Sequence, residues 1–177
     1  MEESDEVVFA TNWFDIVAKP APGHDAPHYT LQTLDYVTVI AITPTDDILL
    51  VRQFRPAVGQ VTLELPSGHV EHGQTPEEAA AAELLEETGW QSNAFTSFGR
   101  LHSDTGRMAN NLWCFGTRDI RKVARAEPEA GIELVTCPRR EFGEWVLDGK
   151  VHNALAFGAV TLAELHGWEL LGRAEDG

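Results

Sequence analysis

Three glutamates within five residues are the strongest chemical signal in this 177-residue sequence. Glu83, Glu86 and Glu87 stand at positions i, i+3 and i+4, so on a helix all three carboxylates project from one side. Without a cation these charges repel one another. Oxygen ligands carried on a rigid element suit Mg²⁺ or Mn²⁺ far better than zinc or copper. The spacing therefore indicates a divalent metal site, and a helix with solvated glutamates is the alternative that it leaves open.

A helix over residues 76–88 must position these carboxylates. Thr75 is suited to cap its start, and Glu78 completes a capping box three residues later. Pro76 fits the first helical position and Gly89 fits the end. The opposite side of the helix is apolar and is expected to pack on a sheet; it carries Ala80, Ala81, Leu84 and Leu85.

The segment from residue 68 to residue 90 resembles the Nudix box, G-x5-E-x7-R-E-U-x-E-E-x-G-U, in which U is apolar. The matching residues are Gly68, Glu83, Leu84, Glu86, Glu87, Gly89 and Trp90. Two positions depart from the pattern, because Gln74 replaces the first glutamate and Ala82 replaces the arginine. That arginine usually pairs with the box carboxylates, so its loss leaves their orientation and pKa open.

Two upstream segments resemble the ADP-ribose and nucleotide-sugar pyrophosphatase branch of the Nudix family. They are residues 49–55, LLVRQFR, and residues 63–68, LELPSG. The resemblance implies an α/β (α+β) fold, the Nudix α/β/α sandwich with a mixed β-sheet and an N-terminal strand extension. A single Nudix domain is expected over residues 1–177, with strand segments and a dimerisation region in 1–35 and the core in 36–177.

The same resemblance implies an enzyme, a Nudix pyrophosphohydrolase acting on phosphorus-containing anhydrides. The expected substrate is ADP-ribose or a related nucleoside diphosphate sugar, and the expected cofactor is Mg²⁺ or Mn²⁺, which stabilises charge on the diphosphate and activates water. The implied metal ligands are the carbonyl of Gly68 and the carboxylates of Glu83, Glu86 and Glu87. Glu86 and Glu87 are also expected to be catalytic.

Three residues are candidates for substrate binding. Arg55 matches the arginine of the family's Q-[FY]-R segment and is suited to paired hydrogen bonds with a diphosphate, with a surface ion pair as the alternative. Arg107, in a polar loop, could meet a phosphate or belong to a plain exposed turn. Trp13 could stack a nucleobase, although a buried or interface aromatic is the more frequent role.

The general base of this branch usually comes from a mobile acidic loop ahead of a late strand. Residues 126–131 form such a loop here, with Glu129 as the first candidate and Glu127 as the second. An acidic surface loop with no catalytic duty is the competing interpretation.

Composition restricts the partners and the compartment. Lys plus Arg number 13 against 28 Asp plus Glu, and the formal net charge of −15 disfavours binding to nucleic acid or to an anionic membrane surface. Two cysteines are too few for a disulfide framework, and the first residues are acidic where a targeting segment would be basic. We therefore expect a cytoplasmic protein, and the small-molecule nucleoside diphosphate substrate is what the family resemblance implies.

The remaining elements follow from periodicity and turn residues. Strands are predicted over residues 7–18, 29–42, 48–54, 61–65, 97–102, 111–117 and 132–136. A C-terminal helix is predicted within 152–170, with Leu155, Leu162 and Leu165 on its buried face. Because the branch is typically homodimeric through N-terminal strands, residues 9–17 and 29–42 are expected at a dimer interface, with Trp13 reaching the partner's pocket.

Two alternatives to this function stay open. Gln74 and Ala82 are compatible with a weakened Nudix domain that binds a nucleotide ligand as a sensor or scaffold. A hydrolase of another nucleoside diphosphate derivative is the second. The sequence leaves undecided the sugar, the base, the number of metal ions and the scissile phosphorus.

Overall fold

A computed structural model describes residues 5–124, 126 and 128–172. Within these ranges the chain forms twelve β-strands and three α-helices. The strands are β1 Glu6–Ala10, β2 Asp15–Lys19, β3 His28–Gln32, β4 Tyr36–Ala41, β5 Asp47–Arg55, β6 Gln60–Glu64, β7 Ser67–His69, β8 Trp90–Ser92, β9 Thr96–His102, β10 Asn111–Thr117, β11 Ile120–Lys122 and β12 Ile132–Pro138. The helices are α1 Pro76–Thr88, α2 Phe142–Leu147 and α3 Ala154–Leu165.

The central sheet is mixed, as predicted. Its order is β7-β4-β10-β9, in which β4 and β10 are parallel and the other pairs are antiparallel. A second sheet, β12-β5-β6, is antiparallel throughout, and β11 pairs with β8. The N-terminal strands form a separate antiparallel sheet, β1-β2-β3.

Helices cover the central sheet on both faces. Along β4, Val37 and Val39 belong to the apolar cluster that α1 closes with Ala80 and Leu84. Ile40 points the other way, into the cluster completed by α2 and α3. This alternation follows from the two-residue period of a strand. The arrangement confirms the α/β/α sandwich expected from the resemblance.

Helix α1 has the predicted bounds and caps. The Thr75 hydroxyl accepts a hydrogen bond from the Glu78 backbone nitrogen at 3.2 Å, while Glu78 accepts one from the Thr75 backbone nitrogen at 2.8 Å. Its predicted apolar face is partly wrong, because Leu85 is 36% exposed. The buried arc instead runs through Ala80, Leu84 and Glu87, at i, i+4 and i+7, so a glutamate occupies the inner position.

The predicted N-terminal strands 7–18 and 29–42 are each divided in two. Between β1 and β2 the chain turns at Thr11, whose hydroxyl accepts hydrogen bonds from the backbone nitrogens of Trp13 and Phe14 at 3.0 and 2.9 Å. Between β3 and β4 the chain passes from the N-terminal sheet to the central sheet. A threonine turn of this kind carries no glycine or proline, which is why the sequence pattern did not mark it.

The C-terminal helix is shorter than predicted. Helix α3 ends at Leu165, which is 80% exposed, and Gly167 follows with φ of 77°. The prediction that Leu165 is buried is therefore wrong, since small residues form the buried face: Ala156, Ala159, Val160 and Ala163. None of the described helices is both long and apolar enough to cross a membrane.

Candidate active site

The loop between β7 and α1 meets the carboxylates of α1. Glu87 is only 5% exposed and accepts a hydrogen bond from the Ser67 backbone nitrogen at 2.8 Å. Glu83 lies directly against Gly68, where a β-carbon would overlap the Glu83 carboxylate. Glu86 is exposed on the same helix. The structure thus brings Gly68, Glu83 and Glu87 together and places Glu86 beside them at the surface.

Burial and mutual repulsion raise the pKa values of Glu83 and Glu87. Burial raises the pKa of Glu87 to about 8, and the charge of Glu83 adds to the effect. Burial also raises the pKa of Glu83 to about 7, with contributions from Glu86, Glu129 and Glu71. A bound cation would reverse both shifts, because it favours the ionised form.

The residues fit a hard divalent cation by their chemistry. All the candidate donors are oxygens, and the absence of a side chain at Gly68 is what admits the Glu83 carboxylate. Among the described residues, no three His, Cys, Asp or Glu side chains are already arranged as a metal-binding cluster. The carboxylates therefore act on one another electrostatically without yet forming a closed ligand shell.

Glu71 is a neighbour of this site that sequence reasoning missed. Its charge contributes to the raised pKa of Glu83, and its backbone nitrogen donates to the Gln74 side-chain oxygen at 3.0 Å. Gln74, which stands where the family has glutamate, is thus engaged in closing the loop. The only available signal was an acidic residue in a loop that also carries the box.

Glu129 is tied to the helix that bears the carboxylates. Its backbone nitrogen donates to the Glu86 carbonyl at 3.0 Å, and its carbonyl accepts from the Ile132 nitrogen at 3.0 Å. Its side chain is exposed, yet close enough for its charge to raise the pKa of Glu83. Glu127, the second candidate base, lies outside the described residues.

A cavity of about 680 Å³ opens beside the carboxylate site. Ser67 belongs to both, since it lines the cavity and donates its backbone hydrogen to Glu87. The walls come from the β1–β2 turn, from β3, from the loop after β9, from β5 and β6, and from the start of α3. Representative lining residues are Trp13, Phe14, Leu31, Met108, Asn110, Arg55, Glu64 and His152.

Arg55 lies in the cavity wall and is paired with a buried carboxylate. Its Nε and Nη2 donate to Glu64 at 3.0 and 2.8 Å, and Thr62 donates to the same carboxylate at 2.6 Å. Burial alone would raise the pKa of Glu64, but the hydrogen bonds from Arg55 and Thr62 outweigh it and lower that pKa. Arg52 projects to the opposite face, as the strand period predicts, and pairs with Glu133 in solvent.

The other two candidate binding residues, Trp13 and Arg107, differ in whether they line the cavity. Trp13 lines the cavity of its own chain and is 75% exposed. The Arg107 side chain is exposed, approaches Asp104 at 3.6 Å and is not among the residues that line the cavity. The backbone around it matters instead, because the Arg107 carbonyl accepts from the Leu31 nitrogen at 2.7 Å and fastens this loop to β3.

Asp35 joins the box loop to the central sheet. Its carbonyl accepts a hydrogen bond from the Val70 nitrogen at 2.8 Å. Its carboxylate accepts from the Asn111 backbone and side chain and from the Trp113 indole, at 2.9 to 3.1 Å. Burial would raise the pKa of Asp35, but these hydrogen bonds lower it. Sequence reasoning missed this role, since a single aspartate before a strand carries no distinctive pattern.

Comparisons with known proteins identify a matching family and several similar chains. A NUDIX domain profile matches residues 33–154. The methanol dehydrogenase activator of Bacillus methanolicus is 42% identical over 132 residues, which cover 73% of this chain and 71% of that protein. The ADP-ribose pyrophosphatase of Bacillus subtilis is 36% identical over 70 residues, which cover 40% of this chain and 38% of that protein.

Coverage of several curated relatives is partial. Besides the Bacillus subtilis protein, the match covers 40% of a Schizosaccharomyces pombe Nudix hydrolase and 29% of a mouse ADP-sugar pyrophosphatase. The crystal structure of an ADP compounds hydrolase superposes with a TM-score of 0.76 at 18% identity, covering 94% of this chain and 91% of that one. At this identity the likeness establishes the shared fold.

Proposed function

Because this chain belongs to the Nudix family, we propose that it hydrolyses the diphosphate bond of ADP-ribose or a related nucleoside diphosphate sugar, using Mg²⁺ or Mn²⁺. One observation carries the proposal. Ser67 lines a cavity large enough for a nucleotide and also holds Glu87 by a 2.8 Å hydrogen bond. A ligand seated in the cavity therefore has its reactive end next to the carboxylate helix.

Each residue of the site has a defined task in this proposal. Glu83, Glu86, Glu87 and the carbonyl of Gly68 would hold the cation. When bound, it would offset charge on the diphosphate and lower the pKa of the attacking water. Ser67 keeps the Glu87 carboxylate oriented through the backbone hydrogen bond. Glu83 requires glycine at position 68 in order to reach the same point.

Arg55 is the proposed contact for the diphosphate. Glu64 fixes its guanidinium through two hydrogen bonds, so its direction is set before a substrate arrives. Phosphate oxygens in the cavity would meet a rigid, planar cation. The ion pair and the binding role, which the sequence left as alternatives, are therefore compatible in this arrangement.

Glu129 is the proposed general base. Its anchoring to the Glu86 carbonyl keeps the carboxylate near Glu83 while leaving it in solvent, where it can take a proton from water. Glu129→Gln should lower kcat by about a hundredfold or more, with a smaller effect on KM. Glu133→Gln, at an exposed glutamate of β12 that pairs with Arg52, is the matched control.

The names of the relatives favour an ADP-linked substrate. The Bacillus subtilis relative is an ADP-ribose pyrophosphatase and the mouse relative is an ADP-sugar pyrophosphatase. A substrate panel tests the proposal: ADP-ribose, ADP-glucose, UDP-glucose and GDP-mannose, each with Mg²⁺ or Mn²⁺ and read out by phosphate release after phosphatase coupling. We expect the ADP-linked compounds to be hydrolysed fastest. Glu87→Gln serves as the inactive control.

The sensor alternative has a clear signature in the same assay. Absence of turnover at micromolar enzyme with saturating Mn²⁺, combined with tight nucleotide binding, would reject hydrolysis and support a binding role. A dinucleoside polyphosphate and coenzyme A are added to the panel to test the second alternative. Faster phosphate release from either of them than from every sugar compound would favour another diphosphate derivative as the substrate. The burial of Glu87 and the raised pKa values of Glu83 and Glu87 argue against a solvated surface helix, and turnover in this assay separates hydrolysis from ligand binding alone.

A homodimer through the N-terminal sheet is also proposed. Val7, Val8, Phe9 and Tyr29 on this sheet are each 46 to 57% exposed, which is unusual for large apolar side chains clustered on one small sheet. Covering them with a second copy would remove this surface from water. The cytoplasmic location remains a prediction.

A further inference from the structure

Asn110 has a buried side-chain oxygen, Oδ1, with no hydrogen-bond partner among the described residues. The residue is 6% exposed and lines the cavity. The next residue shows the contrast. Asn111 donates to both oxygens of Asp35 and accepts from Arg100 at 3.1 Å, so its carboxamide is fully engaged in structure.

An unpartnered buried carboxamide needs a reason. Burying a polar group without a hydrogen bond opposes folding, and folded proteins rarely do so. The fold would be served better by an apolar side chain at position 110. Because Asn110 lines the cavity, a bound ligand is the candidate for the missing hydrogen-bond partner.

The backbone around Asn110 is fixed on both sides. Upstream, the Ala109 nitrogen donates to the Leu31 carbonyl at 3.1 Å, which ties the loop to β3. Downstream, the Asn111 nitrogen donates to Asp35 at 2.9 Å. The carboxamide is therefore held at a set place in the wall, and a half-turn about its last side-chain torsion exchanges its donor and acceptor ends.

The adjoining wall is suited to a flat, apolar group. Trp13, Phe14 and Met108 line the same cavity, and two of them carry rings on which a planar heterocycle can stack. Arg55 lines the same cavity and supplies a positive charge. A nucleotide would therefore orient its phosphates toward Arg55 and its base toward the aromatic residues.

A carboxamide presents a donor and an acceptor side by side, which matches the 6-amino group of adenine and the ring nitrogen next to it. We propose that the Asn110 carboxamide hydrogen-bonds this edge of the base and is a specificity-determining residue of the cavity. The inference rests on the proposed function for the presence of a nucleotide. It adds the residue that reads the base.

Binding of the two products of ADP-ribose hydrolysis tests the assignment. AMP and ribose 5-phosphate are titrated by calorimetry with Mg²⁺ into the wild type, Asn110→Leu and Asn110→Ala. Leucine keeps the branching and removes both polar ends, and alanine remains informative if leucine is too large for the fold. Asn93→Leu, the same change at an exposed asparagine outside the cavity, is the matched control.

We expect both Asn110 variants to raise the dissociation constant of AMP by about tenfold and to leave that of ribose 5-phosphate unchanged. Purine ribonucleoside 5′-monophosphate, which lacks the 6-amino group, should bind the wild type more weakly than AMP and should lose little further on substitution. Asn93→Leu should bind AMP as the wild type does.

Three results would overturn the inference: an unchanged AMP affinity, an equal loss for both products, or a wild type that does not bind AMP. Asn111→Leu is expected to lower the melting temperature, because it removes the hydrogen bonds to Asp35, whereas the Asn110 substitutions should not; this difference separates recognition from a structural role. The proposed function fails separately, if the wild type binds AMP but releases no product from ADP-ribose or any other compound of the panel.

Discussion

Arg55 and Glu64 form a two-point ion pair in the cavity wall, with Nε to Oε1 at 3.0 Å and Nη2 to Oε2 at 2.8 Å. Glu64 is 5% exposed, so its charge depends on this partner. The guanidinium uses one edge for the pair, and Nη1 takes no part in it. A single residue can thus neutralise a buried carboxylate and still present positive charge to a ligand.

Arg55→Lys should impair both activity and stability. Lysine supplies a point charge in place of the planar fork, so we expect kcat/KM for ADP-ribose to fall about ten- to a hundredfold. The free energy of unfolding should fall by about 1–3 kcal/mol, because Glu64 loses a directed hydrogen bond. Steady-state kinetics and urea denaturation measure the two effects. Arg52→Lys, in an exposed pair with Glu133, should change neither appreciably, and equal effects at both arginines would refute the binding role.

Glu87→Gln should abolish turnover and reshape the pH dependence of stability. The pKa of Glu87 rises from about 4.5 to about 8 on folding, so the folded state holds the proton more tightly. The free energy of unfolding of the metal-free wild type should therefore fall as pH rises from about 4.5 to about 8. The variant should show a smaller decline that ends nearer pH 7, where Glu83 titrates.

Cation binding adds a second readout for the same variant. Mg²⁺ or Mn²⁺ should raise the melting temperature of the wild type at pH 8, since the ion binds only the native site. Glu87→Gln should lose most of this rise and about a thousandfold or more in kcat. Glu77→Gln, an exposed change on the same helix, should behave as the wild type. Retention of hydrolysis and of the Mn²⁺ response by Glu87→Gln would exclude this carboxylate from the metal site.

Ala82→Arg should preserve or raise activity. The substitution restores the arginine that the Nudix pattern carries, next to Glu83 and one turn before Glu86. A guanidinium there should lower the raised pKa of Glu83 and order the carboxylates. The dependence of kcat on Mn²⁺ concentration and on pH measures this. A tenfold loss of kcat with an intact fold would show that the site is organised around alanine.

Asp35→Asn should destabilise the protein by about 1–3 kcal/mol in urea denaturation at pH 7. The amide puts hydrogens where the Asn111 side chain and the Trp113 indole already donate. The pKa of Asp35 is lowered on folding, so its carboxylate adds to the free energy of unfolding at pH values above the ordinary pKa of a carboxyl group. This contribution is lost as the pH falls through the lowered pKa of the folded state. Asp148→Asn, at an exposed pair with Lys150, is the matched control and should be neutral.

The N-terminal sheet should mediate dimerisation. Light scattering at micromolar concentration should report twice the 19.5 kDa chain mass. Val8→Lys together with Phe9→Lys should shift the protein to a monomer by placing charge on the exposed, apolar strand β1, while Lys122→Glu, on an exposed position of β11, should leave the mass unchanged. A monomeric wild type would contradict the assembly.

Local patterns predicted the elements that local rules control. The bounds of α1 follow from Thr75, Glu78 and Gly89, and the structure contains both the capping box and the glycine C-cap. The mixed sandwich followed from the resemblance. The inward rotation of Glu87 was not predictable, because a buried glutamate makes sense only with Ser67 in place, twenty positions earlier in the chain.

Long-range pairings explain the rest of what the sequence did not show. The partner of Arg55 is Glu64, on the next strand. The sequence indicated an ion pair as one alternative for Arg55, but it did not show which carboxylate would be the partner or that this carboxylate would be buried. Arg107 and Leu31 are linked by a backbone hydrogen bond, which a pattern of side-chain types does not reveal. Side-chain chemistry alone therefore gave no sign of this backbone link or of Asn110.

Backbone hydrogen bonds between Leu31 and the loop after β9 hold the N-terminal sheet against the cavity. The residues that select a ligand and the carboxylates of α1 therefore lie in different parts of the chain. The cavity wall draws on the N-terminal sheet, whereas the carboxylates stand on a helix buried against the core. Substitutions in the N-terminal sheet and its turns, residues 6–32, are thus expected to change which ligand the cavity admits without disturbing the glutamates of α1. This separation allows evolution or protein engineering to change ligand selection while the proposed metal ligands stay the same.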